Sequence, residues 1–182
     1  ESYVENILAA IAVISDFLDL VKLSDKLFFN YKLPEGRGDS KYIKINNKKI
    51  NFIDESYNSN PMSLNFSLKK FDNLKTGSNK KIILLGNMLE LGKFSKKLHI
   101  EAAKTVNNTR INKVYVYGKN IIDTFNKITP QKRGKILYSK KDILNFFIND
   151  IRNGDYLMIK GSNSTGLNTI TKNLKLGRLS AL

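Results

Sequence analysis

A run of polar side chains between a predicted strand and a predicted helix is the first candidate for chemistry in this sequence. Residues 53–61 read IDESYNSNP, so two carboxylates, a phenol, two hydroxyls and two amides stand directly behind an apolar run. Asp54 and Glu55 could bind a hard cation, act as a base, or meet a ribose hydroxyl. Because Asn and Asp are also common turn residues, a capped loop is the alternative interpretation.

Anion binding is suggested by a second segment, KGSNSTG at residues 160–166. Lys160 ends a predicted strand, and Ser162 stands among hydroxyl side chains just before a predicted helix, whose unpaired N–H groups and dipole attract negative charge. The segment is suited to hold a carboxylate or a phosphate. It is not a P-loop, because the lysine of that motif follows its second glycine, and the sequence contains no GxGxxG fingerprint.

His99 and Arg37 are candidate functional residues that lie outside these two segments. The single histidine lies in a predicted helix, where a partly buried or capping role is favoured over catalysis. Arg37 lies in PEGRGDS, residues 34–40, and its spacing alone suits a solvated loop charge. Since the sequence has no cysteine, disulfides and thiolate metal sites are excluded, and without His or Cys near Asp54 a zinc site is not expected.

The elements that must position these residues are predicted from apolar periodicity and turn residues. Residues 41–54 read as two strands around an Asn46-Asn47 turn, and further strand-like runs alternate with helical patterns. The strand-like runs begin near residues 81, 113, 135 and 155, and the helical patterns follow Pro61 or begin near residues 95, 120, 141 and 165. This alternation predicts an α/β fold with a doubly wound, mostly parallel, Rossmann-like sheet, in which the strand-to-helix loops converge at one edge.

The N-terminal segment differs in character. Residues 1–20 carry apolar side chains at helical spacing, a second short helix is predicted from Ser24, and the Pro, Gly and Ser residues of 34–40 indicate a linker. We therefore expect two domains, 1–35 and 36–182. Because the sequence starts at Glu1 within a predicted helix, we also expect it to be part of a longer protein.

The composition limits the classes of function. A formal charge of +15 over 182 residues would favour a polyanion, but the lysines are scattered and accompanied by many asparagines, a mixture that coding bias also produces. Nucleic-acid binding is therefore the weaker interpretation. The apolar run at 7–14 is too short to span a bilayer and lacks a basic leader, so a cytoplasmic protein without a membrane span is expected.

Four segments together resemble a known family. They are GRG at 36–38, IDESYNSNP at 53–61, GNMLELG at 86–92 followed by Leu98-His99, and IKGSNSTG at 159–166. In order and spacing these segments are similar to the C-terminal part of the Mur ligases, and most similar to the MurF type, which joins D-alanyl-D-alanine to UDP-N-acetylmuramoyl-tripeptide. Residues 1–35 resemble the last helices of the family's central ATPase domain, so the resemblance covers essentially the whole chain.

The resemblance implies an amide ligation that uses ATP and Mg²⁺. ATP would phosphorylate the terminal carboxylate of the UDP-linked tripeptide, and the amine of D-alanyl-D-alanine would attack the acyl phosphate to form a peptide bond. The family's P-loop, Mg²⁺ ligands and UDP-binding domain would lie upstream of Glu1. No catalytic or metal-binding residue is therefore expected in this chain, which should be inactive by itself, and a monomer is expected.

Site residues are carried over from the family by position. Asn6 would lie near the adenine, although Ser2-Tyr3 stand where the family often has His-Asn. Arg37 would reach the ATP phosphates, and Asp54 or Glu55 would meet the ribose, with Glu55 in place of the usual second Asp. The dipeptide and the peptide end of the UDP substrate would be bound by Tyr57, Asn58, Asn60, Asn87, His99, Lys160 and Ser162.

Two alternatives stay open. Another amide ligase of the same superfamily, of the folylpolyglutamate or diaminopimelate-adding type, would share the fold but not the paired YNxNP and GxMLELG segments. A basic nucleic-acid-binding module would instead gather its lysines on one face and lose affinity steeply as salt is added.

Overall fold

The computed structural model describes residues 2–22, 24, 29 and 34–178, and the chain divides into two compact units, Glu1–Lys32 and Leu33–Leu182. In the first unit, helix α1 spans Ser2–Ile14 and a 3₁₀ turn spans Leu20–Lys22. The N-terminal helix is thus confirmed, although it ends before residue 20. The second helix predicted from Ser24 falls largely outside the described residues.

The second unit alternates strands and helices. Its elements are β1 (Asp39–Ile45), β2 (Lys48–Glu55), α2 (Pro61–Asp72), β3 (Lys81–Gly86), α3 (Ser95–Asn107), β4 (Lys113–Tyr117), α4 (Ile121–Phe125), β5 (Arg133–Leu137), α5 (Lys140–Asn145), β6 (Tyr156–Lys160) and α6 (Leu167–Lys175). A π-helical turn, Phe146–Asp150, continues α5.

The six strands form one sheet in the order β1-β2-β6-β3-β4-β5. β1 and β2 are antiparallel, and the other neighbouring pairs are parallel. The turn between β1 and β2 has φ of 43° at Asn46 and 64° at Asn47, as a two-residue type I′ hairpin requires. The predicted hairpin is confirmed.

Helices cover both faces of the sheet. Buried side chains of α2, α3 and α4, such as Leu68, Val106 and Ile121, pack on one face. Buried side chains of α5, its π-helical turn and α6, such as Ile143, Phe146 and Leu174, pack on the other. The doubly wound α/β prediction is therefore confirmed. The strand-to-helix junctions of the parallel strands all lie where these strands end, and this end of the sheet is called here the carboxyl edge.

Within the described ranges, no helix combines the length and apolar character needed to cross a membrane.

Candidate functional site

The polar run predicted as a site forms the junction between β2 and α2. Asn60 is the N-cap of α2, because its Oδ1 accepts the Ser63 N–H at 2.8 Å and Ser63 Oγ accepts the Asn60 N–H at 3.0 Å. This capping box satisfies backbone donors that a helix start otherwise leaves unpaired. Asn60 therefore has the capping role of the capped-loop interpretation. That Asn60 also contacts substrate stays a prediction.

Asp54 and Glu55 point to opposite faces of the sheet, as successive strand residues do. Asp54 is buried on the side of α6, where Oδ2 lies 2.5 Å from Lys175 Nζ and Oδ1 accepts the Ser56 hydroxyl at 2.6 Å. Lys175 Nζ also lies 2.5 Å from Asp39 Oδ2. Burial acts to lower the pKa of Lys175, but the hydrogen bonds to the two carboxylates outweigh it and raise that pKa. Asp54 thus fastens α6 to the end of β2.

Glu55 faces α2 and pairs with Lys160, whose Nζ lies 3.7 Å from Glu55 Oε2. The Lys160 side chain is 1% exposed, and its Nζ donates to the Asn58 carbonyl at 3.0 Å. Burial raises the pKa of Glu55 and lowers the pKa of Lys160, while their mutual attraction opposes both shifts. Through its hydrogen bond to the Asn58 carbonyl, the Lys160 ammonium therefore holds the loop after β2 in place.

Ser162 joins three loops. Its buried Oγ accepts the Leu89 N–H at 2.9 Å and donates to the Ser59 carbonyl at 3.2 Å. Its N–H donates to the Asn87 carbonyl at 3.0 Å. The loops that follow β2, β3 and β6 are therefore brought together, as the topology predicted.

Asn87 connects these loops to the start of α4. Its Oδ1 accepts the N–H groups of Asn120 and Ile121, each at 3.0 Å. At Gly118, a Cβ would come within 2.6 Å of that oxygen, and φ is +122°, so glycine permits this close approach. The Asn87 amide oxygen thus fixes the start of α4 relative to the loop after β3.

His99 lies on α3 with its side chain fully buried. Nε2 accepts the Met88 N–H at 3.1 Å, so the ring proton is on Nδ1, which donates to the Ser95 carbonyl at 2.8 Å. By accepting the Met88 N–H, the imidazole thus holds the loop after β3 in place. The favoured buried role agrees with this geometry, and direct contact with substrate stays a prediction.

Arg37 and Tyr57 form the exposed part of the edge. The Arg37 guanidinium carbon lies 4.2 Å from the centroid of the Tyr57 ring, a cation–π arrangement. The Tyr57 N–H donates to the Gly36 carbonyl at 3.1 Å, which keeps the loop before β1 beside the loop after β2. Because the side chains of Arg37, Tyr57 and Asn58 are exposed, they can meet a ligand from solution.

A polar cavity of about 360 Å³ opens beside Tyr57 on the α6 side of the edge. Its walls include Asn163, Asn168, Thr171, Lys172 and Lys175. Its volume falls in the range of small-molecule sites, and its amides, hydroxyls and ammonium groups suit a polar ligand. Among the described residues, no group of three or more His, Asp or Glu side chains is arranged to hold a metal ion.

All the predicted site residues lie at the carboxyl edge except Asn6, which belongs to α1 in the first unit. Its assignment to adenine stays a prediction, as do the ligands assigned to the others. Sequence reasoning missed Lys175, because a lysine within a helix carries no local signal of an ion pair. The alternation of β2 could have indicated that Asp54 needs a cationic partner on one face.

Comparison with known proteins agrees with this geometry. The family model described as "Mur ligase, glutamate ligase domain" matches residues 41–163. The chain is similar to the UDP-N-acetylmuramoyl-tripeptide–D-alanyl-D-alanine ligase of Bacillus subtilis, with 30% identity over 128 residues, 69% of this chain and 28% of the relative. It is also 30% identical to the ligase of the same name from Rickettsia prowazekii over 154 residues, 82% of this chain and 32% of the relative.

Solved structures show the same fold. MurF ligase from Thermotoga maritima in complex with ADP matches 97% of this chain and 38% of its own, with a TM-score of 0.68 and 21% identity. MurF from Acinetobacter baumannii matches 96% and 37%, with a TM-score of 0.73 and 22% identity. The chain thus spans about a third of the length of these proteins. Since the family model matches more than half of its residues, the chain belongs to the Mur ligase family.

Proposed function

We propose that this chain supplies part of an ATP-dependent ligase that adds D-alanyl-D-alanine to UDP-N-acetylmuramoyl-tripeptide in peptidoglycan precursor synthesis. The observation that carries the proposal is the meeting of the loops after β2, β3 and β6 at Ser162, since these loops contain the family's motifs. The names of the two bacterial relatives support the same reaction. In this proposal residues 36–182 form the third domain of a monomeric, cytoplasmic enzyme, and residues 1–35 end its central domain.

Arg37 is the residue suited to the phosphates of ATP. Bound ATP supplies the phosphoryl group that makes the substrate carboxylate a better electrophile. The Arg37 guanidinium is exposed and is oriented by the Tyr57 ring, and arginine matches the geometry of phosphate oxygens. We assign no described residue to Mg²⁺, because the described acidic and histidine side chains form no cluster of three.

Glu55 is the acid favoured for the ribose. Its side chain is 13% exposed, whereas that of Asp54 is 3% exposed and is held by Lys175. A carboxylate that keeps some exposure to solvent can accept a hydrogen bond from a ribose hydroxyl. Asp54 is better suited to holding α6 in place.

The dipeptide is expected to meet the exposed side chains of Tyr57 and Asn58. Lys160 lies directly beneath this loop; Glu55 offsets part of its buried charge, and water screens the remaining positive potential weakly. That potential favours the dipeptide carboxylate. Ser162 acts chiefly by holding the loops together, because its hydroxyl is engaged with Leu89 and Ser59.

A chimeric enzyme tests the proposal. Residues 36–182 would replace the corresponding third domain of the Bacillus subtilis relative, and ADP release would be measured with the UDP-linked tripeptide and several amine donors. We expect release that requires D-alanyl-D-alanine, and a fall in kcat of at least about tenfold for Arg37→Ala, since it removes a charge facing phosphate. The 182-residue chain by itself should release no ADP.

The outcomes separate the alternatives. Release that depends on glutamate or diaminopimelate instead of the dipeptide would assign the chain to another amide ligase of the superfamily. Release independent of any amine donor would reject the proposal. Thermal unfolding of the chimera, and binding of ADP to it, show whether a loss of activity reflects a misfolded protein.

A further inference from the structure

The helices described within residues 34–178 leave one part of the sheet uncovered. On the face that carries α2, the sheet extends past this helix to β2 and the edge strand β1. The space between α2 and these strands is a groove of about 350 Å³, which we call the β1–β2 groove. It runs along the strands as far as Glu55 at the end of β2, and its lining shares no residue with that of the cavity beside Tyr57.

The floor of the β1–β2 groove is apolar. Ile53 and Met158 form the sheet side, and Phe71 and Leu74 form the α2 side. The aromatic rings of Tyr42 and Tyr156 line the end nearest the strand starts. Its volume lies near the lower limit for small-molecule sites, which suits a ligand of one or two rings.

Positive charge lines one end of the groove and lies next to the other. At one end Lys49 Nζ lies 4.1 Å from the centroid of the Tyr42 ring, and Lys44 is paired with Lys49 on the same sheet face. At the other end Lys70 lines the groove beside Gly38. Glu55 also lines this end, but its charge is offset by the buried Lys160.

We propose that the β1–β2 groove binds a small molecule that has a flat apolar ring system and one anionic group. The ring would lie on Ile53 and Met158, and the anion would reach Lys70. The apolar floor provides most of the binding free energy, and the lysines select against cations. This site goes beyond the proposed ligase function and does not depend on it.

Titration of the 182-residue chain with 1-naphthoate tests the site directly. Binding is followed by NMR of the methyl groups of Ile53 and Met158. The neutral analogue 1-naphthalenemethanol and the cation 1-naphthylmethylamine are the charge controls. We expect both methyl signals to shift with the anion, and the cation to bind at least about threefold more weakly, as is typical for exposed charges.

Two variants and a control locate the probe. Ser40→Trp places a large ring in the groove opposite Ile53 and should abolish binding, while Lys70→Gln should weaken it about threefold. Tyr138→Ser removes an exposed aromatic ring at the end of β5 and should leave binding unchanged. Binding that is indifferent to the charge of the probe, or methyl signals that do not move, would overturn the proposal even if Ser40→Trp failed to fold.

Discussion

The loops after the strands, at the carboxyl edge, and the helix ends, at the opposite edge, have their backbone groups satisfied by different kinds of side chain. At the carboxyl edge, backbone N–H groups are accepted by side chains: Ile121 N–H by Asn87, Met88 N–H by His99 and Leu89 N–H by Ser162. At the opposite edge, where the parallel strands begin, the carbonyls at the ends of α2 and α3 accept hydrogen bonds from lysines. Backbone N–H groups at this edge are also accepted by side chains, that of Lys80 by Asp155 at 3.0 Å and that of Lys81 by Asn112 at 2.7 Å, so the contrast concerns the helix ends.

Lys132 illustrates the lysine edge. Its Nζ donates to the carbonyls of Val106, at 3.1 Å, and Asn107, at 2.8 Å, in the last turn of α3, and to that of Thr109 just after it. Lys81 donates in the same way to the Asp72 carbonyl at the end of α2. Burial lowers the pKa of both lysines.

Helix polarity explains the difference. Helices α2 and α3 each follow a parallel strand and run back along the sheet, so their unpaired N–H groups lie at the carboxyl edge and their unpaired carbonyls at the other. Cations are stabilised near carbonyl ends by both hydrogen bonds and the helix dipole. Some of the chain's lysines therefore cap the ends of its own helices, and a net charge of +15 does not require a polyanionic partner.

The buried ion pair at the carboxyl edge should give the largest effect on stability. Glu55→Gln leaves the Lys160 charge buried without its counter-ion and should lower the free energy of unfolding by about 3 kcal/mol. Adding Lys160→Met should recover part of this loss, because the unpaired charge is removed. Urea unfolding measures both. Glu101→Gln, in the exposed pair with Lys97, is the control and should cost under about 0.5 kcal/mol.

At the lysine edge, Lys132→Met should lower the free energy of unfolding by about 2 kcal/mol. It keeps the apolar stem but removes the hydrogen bonds to the last carbonyls of α3. Lys127→Met is the matched control at an exposed position of the same region. Equal unfolding midpoints for the two variants in urea would contradict a capping role for Lys132.

The shifted pKa of Tyr115 predicts that the protein loses stability in alkali. Burial, with the nearby Asp150 carboxylate, raises its pKa to about 12, whereas an unfolded chain loses this proton near its ordinary pKa of about 10. Because the folded state keeps the proton longer, stability falls as the pH rises between these values. The free energy of unfolding should fall by about 1.4 kcal/mol more between pH 9 and pH 11 than it does in Tyr115→Phe. Identical pH dependence in the two proteins would refute the shift.

The smallest effect is expected at the start of α2. Asn60→Ala removes the N-cap and should cost about 1 kcal/mol, whereas Asn60→Ser keeps a capping oxygen and should cost a few tenths. Thermal unfolding can resolve the difference. If both variants unfold at the wild-type temperature, the capping box contributes nothing measurable.

Features encoded by local sequence were predictable. The Asn46-Asn47 hairpin and the Pro61 helix start depend on residues that adopt their conformations locally. The gathering of the loops at one edge was also predictable, because it follows from strand and helix order. The π-helical turn Phe146–Asp150 was not, since it accompanies tertiary packing in which the Phe146 and Tyr115 ring centroids lie 4.2 Å apart.

The partners of polar side chains were the least predictable part of the site. Lys160 and Ser162 were predicted to bind a carboxylate, yet both are buried and bonded to the carbonyls of Asn58 and Ser59. Burial depends on how distant segments pack, and a single local motif does not encode it. The lysines that cap helix ends were likewise hidden among many others in the sequence.

Asn58→Asp in the chimeric enzyme gives the most direct test of the carboxyl edge as the dipeptide site. The change keeps an oxygen that can accept the Ser59 N–H, now at 2.7 Å from Asn58 Oδ1, but it adds a negative charge where the dipeptide carboxylate is expected. We predict that the KM for D-alanyl-D-alanine rises at least about tenfold while the unfolding temperature is unchanged. An unchanged KM would contradict the account.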